Sequence, residues 1–548
     1  MKIRFCGAAE GVTGSCHHVT TEKSSFLLDC GMFQGNKANV ARNKEAFPFD
    51  VKDIEFVILS HAHVDHCGRL PLLVKRGYDG PIYCTDATAD LLEIMLLDSA
   101  YIQEKDTEYI NKKNARLGKP LVEPLYTAAD AEAALRLVEP VLYDVQKALN
   151  EEVTVKFTEA GHILGSAAIE LWIDGTKLVF SGDLGVRNRP ILRDPDVIKD
   201  ADIVMMESTY GNRIHPPAAA GINELAAAIK KTVRRGGTAV IPCFAVGRTQ
   251  EILYDINQLL LKDKDFAAVM KNVKVYVDSP MAGKATEVFK KNAQVFDTEA
   301  REILLSGDNP ISFENLHFVK DVKESQLLNV DKSPKVILSS SGMCDAGRIK
   351  HHLKHNLWDA RNSVIFVGYQ AEGTLGRIIT DGAEEVRIFG ETIKVAAEII
   401  DLKGFSGHAD QNDLISWLGN FDPAPERVFL VHGEEQAKLD LAAVIEETMG
   451  IKAVPVLKSG IVDLSEVVDD AAIRLTPREK EALKLEALLE MRGKLAEIHR
   501  SIEHILYTTE LAADESLTDE KLQLLNERLM ELEKHTLNLG STVTDMQN

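Results

Sequence analysis

The chain has 548 residues, 45% of them hydrophobic and 27% charged, which excludes both a small disulfide-stapled module and wholesale disorder and predicts two to four folded domains. Its 63 basic and 84 acidic side chains leave a net charge of −21, so it is a poor non-specific binder of nucleic acid. Any polyanion site must concentrate positive charge locally, by metal or by a basic patch.

The opening Met1-Lys2-Ile3-Arg4-Phe5-Cys6-Gly7 reads as a strand entering a turn, without the apolar run of a signal peptide. Across the first two hundred residues, short apolar runs at 26–28, 56–59 and 178–180 alternate with Gly- and Asp-bearing turns, and a helical stretch covers 88–99. This is an α/β pattern. From about residue 215 the texture becomes a regular alternation: helix 223–235, strand 238–242, helix 248–261, strand 273–277, strand 335–338, helix 346–357, strand 363–367. Such spacing predicts a parallel sheet with helices on its faces. After about 395 the first texture returns, with 428–431 as a buried strand, so the second domain reads as an insertion into the first. The expected boundaries are 1–210 and 395–465 for the outer domain, 211–394 for the insertion, and 475–548 for a C-terminal helical extension.

That extension opens with a capping box, Thr476-Pro477-Arg478-Glu479. Leu488, Met491, Leu495, Ile498, Ile502 and Ile505 step at three and four residues, and Leu522, Leu525, Leu529, Leu532, Thr536 and Leu539 repeat the step after a polar break. Two readings stay open: a helical hairpin packing on itself or on the body of the protein, or a seam that makes a homodimer. The seven cysteines are odd in number, scattered, and include no Cys-x-x-Cys pair, which favours a reducing, cytoplasmic location. Nowhere do ~18 apolar residues run together, so no membrane span is expected.

One stretch carries the chemistry. His61-Ala62-His63-Val64-Asp65-His66 follows an apolar strand and places four potential ligands within six residues. On a loop, 61 and 63 point one way and 65 and 66 another, which suits two adjacent metal ions. Imidazole with carboxylate favours Zn2+, with Mn2+ or Fe open. A binuclear site needs further ligands at strand ends, and His162, between Gly161 and Gly165, Asp183, after the strand 178–180, and His432, after 428–431, fit that requirement.

The ordered set Asp29, His61 to His66, His162 and Asp183 resembles the ligand motifs of the metallo-β-lactamase fold. Glu207-Ser208-Thr209-Tyr210-Gly211, Phe405-Ser406-Gly407-His408-Ala409 and Leu430-Val431-His432-Gly433-Glu434 extend the likeness to its β-CASP branch, the nucleases related to the endonuclease subunit of the cleavage and polyadenylation specificity factor. Cys243-Phe244-Ala245-Val246-Gly247-Arg248, Val277-Asp278-Ser279-Pro280-Met281 and Ser340-Ser341-Gly342-Met343 run between them in the order typical of the branch. The likeness covers residues 1 to about 460. It implies an αββα sandwich with an inserted parallel-sheet β-CASP domain. It further implies two Zn2+ ions, one on His61, His63 and His162 and one on Asp65, His66 and His432, with Asp183 bridging. Asp29 would orient a ligand histidine by accepting its other N–H. Histidine at 432, where DNA-repair members typically carry valine, points to RNA.

The expected reaction is hydrolysis of single-stranded RNA by a metal-bridging hydroxide, with His408, held by Glu207, protonating the leaving 3′-oxygen. Internal cutting is expected, with 5′-exonucleolytic trimming left open. Ser406, Ser340 and Ser341 are candidate donors to flanking phosphates, and Arg348, Arg248 and Arg377 candidates for lining the slot between domains. Two other classes compete: a hydrolase of a small-molecule lactam, ester or thioester, and a metal-bound RNA-binding protein without turnover. Met281-Ala282-Gly283-Lys284 lacks the glycine and hydroxyl residue of a phosphate loop. Cys16, His17 and His18, consecutive on a strand, face alternate sides and read as structural.

Overall fold

A computed structural model of the protein describes residues 1–464 apart from 372 and 403. The expected C-terminal helices, and the homodimer read from them, lie outside the described residues.

Two seven-stranded sheets form the outer domain. The first runs in the order Gly460–Asp463, Lys2–Phe5, His17–Thr20, Ser25–Leu28, Phe56–Ile58, Ile82–Thr85, Val138–Val141. The second runs Ala453–Pro455, Arg427–Val431, Ile203–Glu207, Thr176–Phe180, Ala167–Ile173, Val153–Glu159, Lys147–Ala148. Successive side chains of a strand point to opposite faces, and here both faces are buried. Phe26 and Leu28 therefore join Phe180, Met205 and Phe429 in the core between the sheets. Leu27 turns outward under helix residues Leu70, Leu91 and Leu96. On the second sheet Val179, Val204 and Leu430 turn outward under Leu414, Trp417 and Leu441. Helix, sheet, sheet, helix is the result. Double burial explains why the strands read as uninterrupted apolar runs.

The inserted sheet is six-stranded and wholly parallel, ordered Leu316–Phe318, Lys274–Val277, Lys335–Ser339, Thr238–Pro242, Ser363–Phe366, Glu398–Asp401. Its last strand lies beyond residue 394. Ala239 and Ile241 face Ile252 and Ile256 of the helix Arg248–Lys262, while Val240 faces Ile349 and Leu353 of the helix Ile349–Asn356. The chain leaves the outer domain after Ile203–Glu207 and returns to pair Arg427–Val431 beside that same strand, with Met205 opposite Phe429. Leaving and returning on neighbouring strands lets a domain be inserted without opening the sandwich.

The stretch expected to be helical over 88–99 is a 31-residue helix, Asp86–Arg116. Helices Ala218–Arg234, Lys264–Met270, Pro280–Lys291, Thr298–Leu305, Val322–Val330 and Leu375–Thr380 also belong to the insertion. The apparent phosphate loop is the first turn of Pro280–Lys291, capped by Ser279 Oγ on the Ala282 amide at 3.2 Å. His17 packs between the rings of Phe5 and Phe180, at 5.5 and 5.4 Å, and His18 turns to the other face against Phe49. No described helix is long and apolar enough to cross a membrane.

Candidate metal centre

Strand ends of both sheets converge on one buried spot. Phe56–Ile58 delivers His61 and His63 on extended backbone, and the four-residue helix Val64–Cys67 that follows carries Asp65 and His66 on its first turn. His162 sits in the turn between Val153–Glu159 and Ala167–Ile173, Asp183 follows Thr176–Phe180, and His432 follows Arg427–Val431. Loops from four strands meet here because glycines allow backbone to touch. A Cβ on Gly31 would lie 1.5 Å from the Asp65 carbonyl oxygen, and one on Gly185 would lie 1.9 Å from the Gly161 carbonyl oxygen. Asp29 and His432 hold left-handed backbone, at φ +59° and +51°, a strain that concentrates at functional sites. The His432 amide is held by the Ala8 carbonyl at 2.8 Å.

Three groups form from these loops. The ligand atoms of His61, His63, His162 and Asp183 lie within 4.8 Å of one another, as do those of Asp65, His66 and His432, and those of Asp183, Glu207 and His408. Every ligand position read from the sequence is therefore in one of two adjoining groups. Asp183 Oδ2 joins them, at 3.3 Å from His66 Nε2, 3.5 Å from His61 Nε2 and 3.6 Å from His162 Nε2.

The hydrogen bonds fix which ring nitrogens face inward. His66 Nδ1 meets Asp29 Oδ2 at 2.7 Å, His162 Nδ1 meets the Gly407 carbonyl at 3.0 Å, His61 Nδ1 meets Ser60 Oγ at 3.0 Å, and His432 Nδ1 meets Thr209 Oγ1 at 3.1 Å. Asp29 is itself held by Ser15 Oγ, Ser60 Oγ and the Ser60 amide, at 2.9, 3.0 and 2.8 Å. With their outward nitrogens engaged, the inner ones crowd together: His63 Nδ1 is 3.2 Å from His61 Nε2 and 3.1 Å from His162 Nε2, and His66 Nε2 is 3.1 Å from His432 Nε2. Nitrogens bound to one tetrahedral Zn2+ at ~2.05 Å would be about 3.3 Å apart. Asp183 Oδ1 is buried with no hydrogen-bond donor. Facing lone pairs and an undonated carboxylate oxygen are costly in a protein interior unless a cation lies between them. The donor set therefore fits divalent metal.

Burial pushes His61 and His162 well below the usual histidine value, helped by neighbouring imidazoles, and takes His63 down to about 4. These rings are neutral at physiological pH, the form that ligates metal. His408 goes the other way. Burial opposes its charge, but the carboxylates of Glu207 and Asp183 prevail and raise it to about 8. Its Nδ1 lies 3.2 and 3.3 Å from the two Glu207 oxygens, and Glu207 is fixed from behind by the Leu184 amide at 2.5 Å.

The candidate substrate residues are placed differently. Ser406 Oγ bonds the His408 amide and carbonyl within its own turn, at 3.2 and 3.1 Å. Ser341 Oγ is engaged with Ala346, while Ser340 Oγ is buried without a partner. Arg348 is committed to the buried Asp278 at 2.5 Å. Arg248 bonds Glu251 at 2.5 Å, and Arg377 bonds Asp381 one helical turn on, at 2.8 Å.

Sequence reasoning did not find Arg189. Its Nη1 donates to the carbonyls of His162 at 3.0 Å and Gly407 at 2.8 Å, and its Nη2 reaches Glu251 on the inserted helix Arg248–Lys262. One buried guanidinium thus ties a ligand loop, the His408 loop and the insertion together. Ser15, Ser60 and Thr209 were missed too, since ordinary hydroxyl residues carry no signal of what they will hold.

Family models match in chain order: the metallo-beta-lactamase superfamily over residues 9–242, the Beta-Casp domain over 249–379, and the Zn-dependent metallo-hydrolase RNA specificity domain over 392–455. The chain is 40% identical over 445 residues to Ribonuclease TTHA0252 of Thermus thermophilus, a match spanning 81% of this chain and 96% of that one. It is 34% identical to an RNase J-like protein of Methanocaldococcus jannaschii, over 82% of this chain and 96% of that one. It is also 34% identical to the transcription termination factor FttA of the same organism, over 81% of this chain and 69% of that one. With its ligand loops, its inserted sheet and these relatives in agreement, the chain belongs to the metallo-β-lactamase superfamily, in the branch that carries the β-CASP insertion.

Proposed function

We propose that the protein is a metal-dependent ribonuclease that hydrolyses phosphodiester bonds of single-stranded RNA, with two Zn2+ ions that His61, His63, His162, Asp65, His66, His432 and Asp183 would hold. The observation that carries this reading is the pair His408–Glu207 set against a two-part ligand cluster that shares one carboxylate. Two divalent cations, when bound, acidify water to give a nucleophile at neutral pH and neutralise the phosphate oxygens. The remaining work falls to side chains. Asp29 and Thr209 hold His66 and His432 in the tautomer that presents Nε2 to the cluster. Glu207 keeps His408 protonated by bonding Nδ1, which leaves Nε2 to hand a proton to the departing 3′-oxygen. Water is consumed, and a 5′-phosphate and a 3′-hydroxyl result.

Relatives named as a ribonuclease and as RNase J-like support RNA as the substrate. His432, in place of valine, supports the same choice. A hydrolase of a small lactam or thioester would have no use for Glu207 and His408 or for an inserted domain. We assign the enzyme to the cytoplasm, in keeping with seven unpaired cysteines.

The test is incubation of the purified protein with labelled single-stranded RNA, beside Asp65→Ala and His408→Ala variants and with metal content measured. Cleavage by the parent and loss in both variants is expected. Full activity in Asp65→Ala would overturn the two-metal reading, and turnover of nitrocefin or an acyl thioester without RNA cleavage would favour the small-molecule hydrolase.

A further inference from the structure

We infer that one exposed face of the helix Ile349–Asn356, with the hairpin beside it, is a second binding site for single-stranded RNA. It would take nucleobases on Phe389 and Trp358 and phosphates on Lys350, Lys354 and Lys332. The inference rests on the ribonuclease reading.

The helix, Ile-Lys-His-His-Leu-Lys-His-Asn, has two lysines, three histidines and no acidic residue, in a chain of net charge −21. Ile349, His352, Leu353 and Asn356 are buried. His352 is anchored on Asp278 at 2.7 Å, so the helix is a fixed platform. The opposite face, at helical spacing, presents His351, Lys354, His355 and, just past the last turn, Trp358.

An aromatic ring stands at each end of this face with a lysine over it. At the far end Trp358 is 52% exposed and Lys332 Nζ lies 5.6 Å from its ring centre. At the near end Phe389 is 51% exposed, tilted against His351 at 4.5 Å and 32°, with Lys350 Nζ at 5.4 Å. Phe389 is also out of place by the rules of local structure. It begins a two-residue turn between Glu385–Ile388 and Glu391–Lys394, and both turn residues, Phe389 and Gly390, have positive φ, at +51° and +84°. Such turns favour Asn or Asp before Gly, because a bulky side chain is strained there. A phenylalanine kept against that preference, and left exposed, is there for the surface it presents.

Aromatic platforms with interleaved cations are what a single strand binds, since every base has a face to stack and every nucleotide a phosphate. The helix spans about 12 Å, the length of three or four nucleotides at the ~3.4 Å stacked rise. Acidic side chains border the strip, Asp331 beside Lys332, Asp359 beside Trp358 and Glu385 on the hairpin, and Glu391 pairs with Lys354 at 2.6 Å on the surface. An exposed pair of this kind is weak enough for a phosphate to replace. Ile349 N donates to Ser340 O at 3.3 Å and Lys350 Nζ to Asp345 O at 3.1 Å, so the helix leaves directly from the Ser340–Ser341 turn.

The experiment uses the full chain with the double substitution Phe389→Asn, Trp358→Ala, on single-stranded RNA of about 20 and about six nucleotides, the shorter filling only one site. Asparagine suits the turn, so the melting temperature should hold while the ring is lost. For the longer RNA, KM should rise roughly tenfold with kcat unchanged, and the Kd measured by anisotropy in the chelated protein should rise in step. The six-nucleotide RNA should show no change. Phe389→Trp should restore tight binding of the longer RNA. If the parent cleaves RNA and the double variant matches it on the longer substrate, the strip is overturned and the nuclease reading stands. Equal losses on both lengths would also overturn the strip. A parent that neither binds nor cleaves RNA of either length overturns both.

Discussion

Asp183 and Asp278 are both buried carboxylates set beside histidine at the end of a strand, yet they handle their charge in opposite ways. Asp278, in the inserted sheet, accepts from Ser325 Oγ at 2.5 Å, Arg348 at 2.5 Å and His352 at 2.7 Å, which gives both oxygens a donor and brings a guanidinium against the charge. Asp183, in the sandwich, has one oxygen without a donor, while the other faces three imidazoles across 3.3 to 3.6 Å. Residue types alone do not separate the two, since each is an Asp–His cluster. Satisfaction does. A carboxylate neutralised by its own chain is a structural pin, and one left short of donors is shaped for an ion the chain does not supply.

The contrast is broken most directly by removing each carboxylate in turn. Asp183→Asn should lose bound metal and slow RNA cleavage by roughly a thousandfold or more, because its carboxylate faces histidines of both ligand groups. Metal analysis and single-turnover cleavage measure this, and wild-type metal content with intact cleavage would erase the distinction. Asp278→Ala should leave metal content unchanged but cost about 3 kcal/mol of stability, since Arg348 and His352 lose their buried partner. Urea unfolding reads it. Chelation should lower the melting temperature of the Asp278→Ala protein by the same amount as the parent's, as expected of independent sites.

The same contrast marks what was legible in the sequence. The clustering of the candidate ligands was, because metal chemistry demands His and Asp and four of them are near neighbours at 61 to 66. Strands 238–242, 335–338 and 363–367 were, because a parallel sheet buried on both faces writes itself as apolar runs. Apart from Asp29, which the family resemblance supplied and which meets His66 Nδ1, the groups that orient these side chains were not. His162 Nδ1 bonds a carbonyl 245 residues away, and a backbone acceptor has no residue type to recognise. Arg348 was read as lining the slot, and in the structure it bonds Asp278. At a helix N-terminus the side-chain direction is set by what is packed nearby, here Asp278 seventy positions earlier in the chain. The helices Pro280–Lys291, Thr298–Leu305 and Val322–Val330 were not read from the sequence.

Arg189 sharpens the comparison from a different side, since it joins the sandwich to the insertion without facing the metal cluster. Arg189→Met should reduce kcat and the affinity for metal by about 10- to 100-fold, the usual effect of losing a group that orients ligands. Glu251→Gln should do less. Because Glu251 reaches the ligand loop through Arg189, while its other partner Arg248 lies on its own helix, the double variant should bind metal no worse than Arg189→Met alone. Additive losses would show that the insertion grips the ligand loop by another route.

His408 stands between the two carboxylate patterns: Glu207 gives it a single partner, and Asp183 adds charge at 3.8 Å. In the chelated protein its ring should titrate near pH 8, the value to which those carboxylates raise it against the pull of burial. The sign follows from linkage. A histidine with a folded pKa above its unfolded ~6.5 adds stability that is complete below about pH 6.5 and is lost as pH rises through about 8. The contribution is ~2 kcal/mol at most. Chelated parent and His408→Asn proteins should therefore converge in unfolding midpoint between pH 6.5 and 8.5. Glu207→Gln should bring the ring back toward or below its ordinary value, followed by the imidazole proton resonances. A ring still titrating near 8 in Glu207→Gln would assign the shift to Asp183, and His408 would then belong to the metal cluster rather than to Glu207.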